Sequence, residues 1–298
     1  MKVGYPCINY SLSCKNNKTF RLKNYSNQLL KDVVNNNLSC LANILKYNVK
    51  HNILFFRFTS DLIPFASHEI MDFDWKTYFR EKFREIGSYV KNHNIRISMH
   101  PGQYIVLNSN NEDVFIRSLK EVEYHVDLLD LMDLDKSAKV QLHIGGVYGD
   151  KDSSIKRFIE RYHNFDAKIK KRLVIENDDK SYNFNDCLKV YKALKIPIIF
   201  DVYHNIINPS GMPLSEIFKR VIKTWENKDG LPIIHYSSAH PQKGFPSHAE
   251  KIDIGDFKNF IESTRSFNFD VMLEIKDKEV SALKAIKLLK KDPRIIVK

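Results

Sequence analysis

The sequence predicts a (β/α)8 barrel, a single TIM-barrel domain over residues 1–298. Two observations carry the prediction. Eight short apolar runs recur along the chain with helix-like segments between them, and 298 residues is the usual size for eight such units. A third agrees: no Gly- or Ser-rich linker, low-complexity tract or sequence repeat divides the chain. An eight-stranded doubly wound sheet would give a similar string of elements.

The runs, in order, are KVGYPCI (2–8), ILFFRF (53–58), IRISMH (95–100), KVQLHI (139–144), RLVIEN (172–177), PIIFDV (197–202), LPIIHYS (231–237) and DVMLEIK (270–276). They are too continuously apolar for half-exposed strands and too short for independent helices, which points to strands covered on both faces in a parallel sheet. Between the first two, Leu30, Val34, Leu38, Leu41 and Leu45 recur every three or four positions and predict a helix over 29–45. Trp75, Phe79, Phe83, Ile86 and Val90 predict the next, over 75–90.

The third run ends in His100 and breaks at once into Pro101 and Gly102, although a strand that only had to stop needs no imidazole there. It is one of a series. The fourth run ends at His143, the fifth at Glu176, the sixth at Asp201, the seventh at His235 and the eighth at Glu274, while His204 and His248 fall in the loops after the sixth and seventh. In a barrel all eight carboxyl ends open on one face, where barrel active sites lie, so these residues are expected to converge. An ionisable residue ending an apolar run costs several kcal/mol unless it is partnered, and six in register make coincidence a poor explanation.

Imidazoles and carboxylates together are transition-metal ligands, suited to zinc, iron or manganese. One ion needs three or four donors, so five imidazoles and three carboxylates predict two or three divalent ions. Three carboxylates cannot neutralise three such ions, and an anionic substrate such as a phosphodiester would meet the surplus. The other histidines are given structural roles: His125 and His163 lie on helix-like segments, and His51 and His93 sit where they would face helix C-termini. His240 is unassigned.

Lys and Arg exceed Asp and Glu by 47 to 36, a formal charge of +11. That is compatible with a nucleic-acid partner, although many basic residues fall in mixed stretches such as KTYFREKFREIG, where a solvated helix face accounts for them. Cys7, Cys14, Cys40 and Cys187 form no C-x-x-C pair and no zinc-finger spacing, so they read as buried or incidental thiols of a reducing compartment, with no disulfide framework. The N-terminal stretch lacks the apolar core of a signal peptide and no run is long enough to cross a bilayer; a soluble intracellular monomer is expected.

Taken in order, VGYPCIN, LFFRFTSDLIPFASH, ISMHPGQYIVLNS, LHIGG, RLVIENDD, IFDVYHNIINP, SHA and MLEIKDKE resemble the UV-damage endonuclease family, a relative of the endonuclease IV and xylose-isomerase-like barrels. The likeness spans nearly the whole chain, and MHPGQY with PFASH is its most specific part. It implies cleavage of UV-damaged double-stranded DNA immediately 5′ to cyclobutane pyrimidine dimers and 6-4 photoproducts, leaving a 3′-hydroxyl and a 5′-phosphate. Divalent metals, commonly manganese, would serve, with zinc an alternative.

By position, the resemblance implies that His100, His143 and Glu176 hold one metal, that Glu176 bridges to a second held by Asp201, His235 and Glu274, and that His204 and His248 bind a third. It further implies that Gln103 and Tyr104 probe the duplex at the lesion, and that Tyr5, Asn9 and His68 line a lesion-side pocket. One departure stands out: some relatives carry a lysine two residues before the seventh-strand histidine, where this chain has Ile233. The expected chemistry is metal-assisted hydrolysis, with no Ser or Cys nucleophile. The rivals are an abasic-site enzyme of the endonuclease IV type, a sugar isomerase or epimerase on the same barrel, and a metal-free DNA-binding module. The last leaves the strand-end carboxylates unexplained.

Overall fold

Each of the eight apolar runs forms one strand of a closed, all-parallel barrel whose strands follow one another around the ring in chain order. The computed structural model describes residues 1–102, 104–239 and 248–296. The strands are β1 (Val3–Pro6), β2 (Phe55–Phe58), β3 (Arg96–Met99), β4 (Lys139–His143), β5 (Leu173–Glu176), β6 (Ile198–Asp201), β7 (Ile233–Tyr236) and β8 (Asp270–Leu273). The pairs Val3 with Val271 and Gly4 with Met272 close the ring between β1 and β8. Closure excludes the doubly wound alternative.

Outside the ring lie α1 (Asn27–Lys50), α2 (Trp75–Tyr78), α3 (Arg80–Asn92), α4 (Glu112–Leu131), α5 (Lys151–His163), α6 (Ala167–Arg172), α7 (Phe184–Leu194), α8 (Val202–Ile207), α9 (Leu214–Ile222), α10 (Ile254–Ser263) and α11 (Glu279–Leu289). The five leucine and valine positions predicted for the first helix are all buried on α1, which starts where the Ser26 side chain accepts from the Leu29 amide at 3.2 Å. The second predicted helix is two. It breaks at Phe79 (φ −98°, ψ 9°), and periodicity missed the break because Trp75, Phe79, Phe83, Ile86 and Val90 still all face the core.

Helix α3 approaches the end of α4 so closely that a Cβ on Gly87 would lie 1.8 Å from the Met132 carbonyl oxygen. Backbone cannot yield as a flexible side chain can. Gly87→Ala should therefore cost about 3 kcal/mol or more, at the upper end of overpacking effects; a denaturant midpoint within error of the parent's would show that the helices separate freely.

The amino end of the barrel is plugged by buried ion pairs, Arg96 with Asp270 at 2.7 Å and Lys139 with Asp229 at 2.5 Å. Breaking one by removing a single partner costs roughly 3–5 kcal/mol, because a buried charge is left uncompensated. The plug leaves the carboxyl ends as the open face.

One expectation from the cysteines is corrected. Cys14 and Cys40 are joined in a disulfide, and the thiols of Cys7 and Cys187 are the free ones. The segment after β1 folds back over α1 and brings the two Cα atoms to 5.7 Å, within disulfide reach, a proximity that a spacing of 26 residues does not reveal. The reducing compartment inferred from the cysteines loses that support. Among the described residues, no helix is long and apolar enough to cross a membrane.

Candidate metal centre and active site

Strand register assembles the site. Parallel pairing sets His143 beside Glu176 and Asp201 beside His235 as direct partners across β4–β5 and β6–β7. Two groupings result at the open end. His100, His143 and Glu176 offer ligand atoms that all lie within 4.8 Å of one another, and so do Glu176, Asp201, His235 and Glu274.

Glu176 belongs to both. Its Oε2 faces His100 Nε2 at 3.6 Å and His143 Nε2 at 3.9 Å, while its Oε1 accepts from His235 Nδ1 at 2.6 Å. Gln141, inward-facing one turn of the pleat below, donates to Oε2 at 3.0 Å and fixes the carboxylate plane. A carboxylate with one oxygen turned to each group of donors has the geometry of a bridging ligand.

Three of the five candidate imidazoles are oriented by their far nitrogens, while the buried Nδ1 of His143 has no hydrogen-bond partner among the described residues. Nδ1 of His100 donates to the Pro101 carbonyl at 2.8 Å, that of His204 to the Asn177 carbonyl at 2.9 Å, and that of His248 to Ser237 Oγ at 2.8 Å. Each bond leaves Nε2 as the nitrogen that offers a lone pair when the ring is neutral, the usual arrangement for a metal-ligating histidine. Asp201 sets the backbone for His204: as N-cap of α8, its Oδ1 accepts from the His204 amide at 2.7 Å. Asn177 in turn holds Asp201 through both its amide (2.9 Å) and its carbonyl (3.0 Å).

The electrostatics suit cations. Burial would raise the Glu176 carboxyl, yet the His235 and His143 imidazoles together hold it well below the usual range. Burial pushes the His100 imidazole down to about 3, so it is neutral and can donate a lone pair at physiological pH. Burial raises Asp201. Its Oδ2 is fully buried, has no hydrogen-bond partner among the described residues, and lies 3.6 Å from His204 Nδ1 and 3.9 Å from His235 Nδ1. An unpartnered buried carboxylate oxygen is expensive, and a cation at that position is the partner it lacks. The donor set and this orphaned oxygen fit divalent metal ions.

Sequence inspection missed Arg57. It projects inward from β2, donates to Glu274 Oε1 at 2.7 Å, and places the same nitrogen 3.0 Å from His235 Nε2. A guanidinium only donates, so Nε2 accepts and His235 carries its proton on Nδ1, toward Glu176. In the metal-free site Nδ1, the His235 atom nearest the other donors of the second group, is thus protonated, and a metal bound there would displace that proton; Arg57 also fixes the position of Glu274.

The third pair is sparser. His204 and His248 face each other with ring centroids 6.4 Å apart, and no third donor joins both within 4.8 Å among the described residues. Ile233 is fully buried in β7. His240 and Gln103 lie outside the described residues.

The lesion-side residues divide. Tyr5 and Asn9 are buried: Tyr5 donates to Asn48 Oδ1 on α1 at 2.8 Å and accepts from Asn9 Nδ2 at 2.8 Å, so here the pair fastens the turn after β1. His68 is exposed in the loop after β2, its Nδ1 accepting from the Ile70 amide at 3.1 Å. Tyr104, after the Pro101–Gly102 turn, stands 81% exposed. Tyr10, Tyr148 and Ile206 are also exposed in loops or helix ends following β1, β4 and β6. Sequence inspection overlooked this apolar rim, since single exposed apolar residues are common.

The four histidines given structural roles join neither group of donors. His125 is buried with Nδ1 on the Glu121 carbonyl at 2.7 Å, and His51 and His93 are the C-cap residues of α1 and α3. His163 ends α5.

The model of the UV-endonuclease UvdE family matches residues 1–296. This chain belongs to that family. As a UV-endonuclease family member it is an enzyme, a DNA-cleaving hydrolase. The UV DNA damage endonuclease of Clostridium perfringens (strain 13 / Type A) is 42% identical over 292 residues, 97% of this chain and 71% of that one. The crystal structure of SacUVDE is 43% identical, superposes with a TM-score of 0.94, and covers 99% of both chains. Endonuclease IV from Thermus thermophilus aligns at a TM-score of 0.58 and 12% identity, over 84% of this chain and 93% of that one, a likeness of fold alone.

Proposed function

We propose that this family member cleaves UV-damaged duplex DNA immediately 5′ to the photoproduct, with cyclobutane pyrimidine dimers and 6-4 photoproducts as its lesions. It does so with a cluster of two or three divalent ions, chiefly manganese. The observation that supports this best is Glu176, shared between two groups of donors, in the first of which His100 is already anchored through its far nitrogen. His100, His143 and Glu176 would hold one ion; Glu176, Asp201, His235 and Glu274 a second; His204 and His248 a third. Bound there, the ions supply Lewis acidity at the phosphate being cut.

The protein's own groups do the rest. Arg57 keeps Glu274 and His235 in place, Asn177 keeps Asp201 and His204, and Gln141 keeps Glu176. A photoproduct weakens local stacking, which lowers the cost of opening the duplex. Tyr104, projecting from the rim, is placed to stack on an exposed base, worth roughly 1–3 kcal/mol.

The test is to incubate the metal-loaded protein with duplexes carrying a dimer, an abasic site or no lesion. Incision one bond 5′ to the dimer is expected. Cutting at the abasic site alone would move the assignment to an endonuclease IV-type enzyme. Tyr104→Ala should weaken binding to the dimer duplex about five- to a hundredfold, the equivalent of that stacking energy, with a much smaller loss on undamaged DNA. Equal losses on both would make Tyr104 a general contact.

A further inference from the structure

On the β8–β1–β2 side of the open face, three non-glycine residues hold backbone conformations that side chains disfavour, one of them Phe65 in the loop after β2 with φ 61°. Cys7, just past β1, has φ 71°, and Lys278, in the turn after β8, has φ 52° with ψ −115°. Lys278 is the more unusual, since that region is left almost entirely to glycine. Such strain persists only where the surroundings over-determine it, and it gathers at functional sites.

The surroundings here are specific. Glu279, the next residue, is fully buried, and its Oε1 accepts from the Tyr10 amide at 3.0 Å, the Ser11 amide at 2.8 Å and Ser11 Oγ at 2.9 Å. The Lys278 carbonyl accepts from the Ala282 amide at 3.1 Å and its amide donates to the Ile275 carbonyl at 3.2 Å. The chain on either side is therefore locked, and a lysine occupies a position where glycine would relieve the strain.

The Lys278 ammonium is half-buried and has no hydrogen-bond or ion-pair partner among the described residues. Burial pushes it below the usual lysine value, although Cys7 and Glu274 pull it up. Glu274, the nearby carboxylate of the second metal grouping, is already committed to Arg57 at 2.7 Å and His235 at 3.2 Å. Glu279 is taken by the segment after β1. A desolvated cation held in a strained turn beside the reaction centre, with its neighbouring carboxylates engaged, lacks an anion.

We infer that Lys278 is a phosphate-binding residue, which contacts a backbone phosphate of the strand being cut within one nucleotide of the scissile bond. This rests on the assignment of the chain as a DNA-cleaving enzyme with its metals at the open face. The strained turn sets Lys278 just past β8 at the open end of the barrel, and the phosphate supplies the missing partner.

The experiment uses the metal-loaded full chain in single-turnover cleavage of a dimer-containing duplex, across a range of salt. Lys278→Met, which keeps the strain and most of the volume, should slow cleavage at least tenfold. It should also flatten the salt dependence of binding by one contact, a change of about 0.9 in the slope of log K against log salt. Lys278→Gly relieves the strain, so it should melt no lower than the parent and yet cleave as poorly as Lys278→Met. Lys278→Arg should recover part of the rate. With a neutral methylphosphonate at the contacted position, the parent should fall to the level of Lys278→Met, and Lys278→Met should hardly change.

Cleavage by Lys278→Gly within about threefold of the parent, with an unchanged salt slope, would overturn the inference. So would equal sensitivity of parent and Lys278→Met to every methylphosphonate near the cut. A parent that cuts no damaged duplex would instead defeat the proposed function, so the two failures are told apart.

Discussion

Glu176→Ala should lower single-turnover cleavage of a dimer-containing duplex by on the order of a thousandfold or more, because the metals at such a site supply several kcal/mol of transition-state stabilisation. Glu176 is the one carboxylate common to both groups of donors, so its loss removes a ligand from each. Alanine also leaves the His235 Nδ1–H and the Gln141 amide without their acceptor in a site that is 1% exposed at Glu176. Glu176→Gln keeps the volume, and it should be nearly as inactive because the amide has one oxygen where two are used. Binding to damaged duplex should fall less than about tenfold, since phosphate contacts on the basic surface dominate affinity. Near-normal cleavage by either variant at saturating manganese would remove Glu176 from the reaction.

Metal removal should have an effect of the same size. Protein dialysed against a chelator should lose cleavage and recover it on addition of manganese, and metal analysis of the loaded form should return more than one ion per chain. One ion or fewer in fully active protein would reduce the cluster to a single centre. Loading should also depend on pH. Burial would lower the His204 imidazole, but Asp201, Glu176 and Glu274 raise it to about 9 in the metal-free site. Below that value a proton competes with the metal for His204, so apparent affinity should climb as pH rises toward 9 and level off above it. Affinity that is flat from pH 6 to 9 would take His204 out of the ligand set. A metal that binds only the folded chain must also raise its melting temperature, which gives a readout independent of cleavage.

The ring of strands was legible in the apolar runs, and six of the eight candidate ligands stood out because each is a conflict within a short window: an imidazole or carboxylate where an apolar run should end. Arg57 poses the same conflict one residue earlier, inside ILFFRF, and was overlooked because attention fell on run ends alone. The desolvation cost that singles out His100 applies equally to an arginine in a four-residue strand with every position buried. Gln141, inside KVQLHI, could have been found in the same way. The break at Phe79 and the Cys14–Cys40 bridge were not legible. The first leaves the hydrophobic period intact, and the second depends on how a loop folds over α1. The burial of Tyr5 and Asn9 likewise depends on where Asn48 falls on that helix.

The seam between β1 and β8 joins Val3 to Val271 and Gly4 to Met272, and the last candidate ligand, Glu274, stands just beyond it. A ring has no working fragment. While the chain is being made, Arg57 waits for its carboxylate and the second group of donors stays incomplete until β8 has emerged and found β1, a pairing across almost the whole sequence and of the kind that makes folding slow. A chain cut short just before β8 would carry every histidine and none of the enclosure that turns them toward one another. Such a product would not be a weak nuclease loose among nucleic acids, but an inert one.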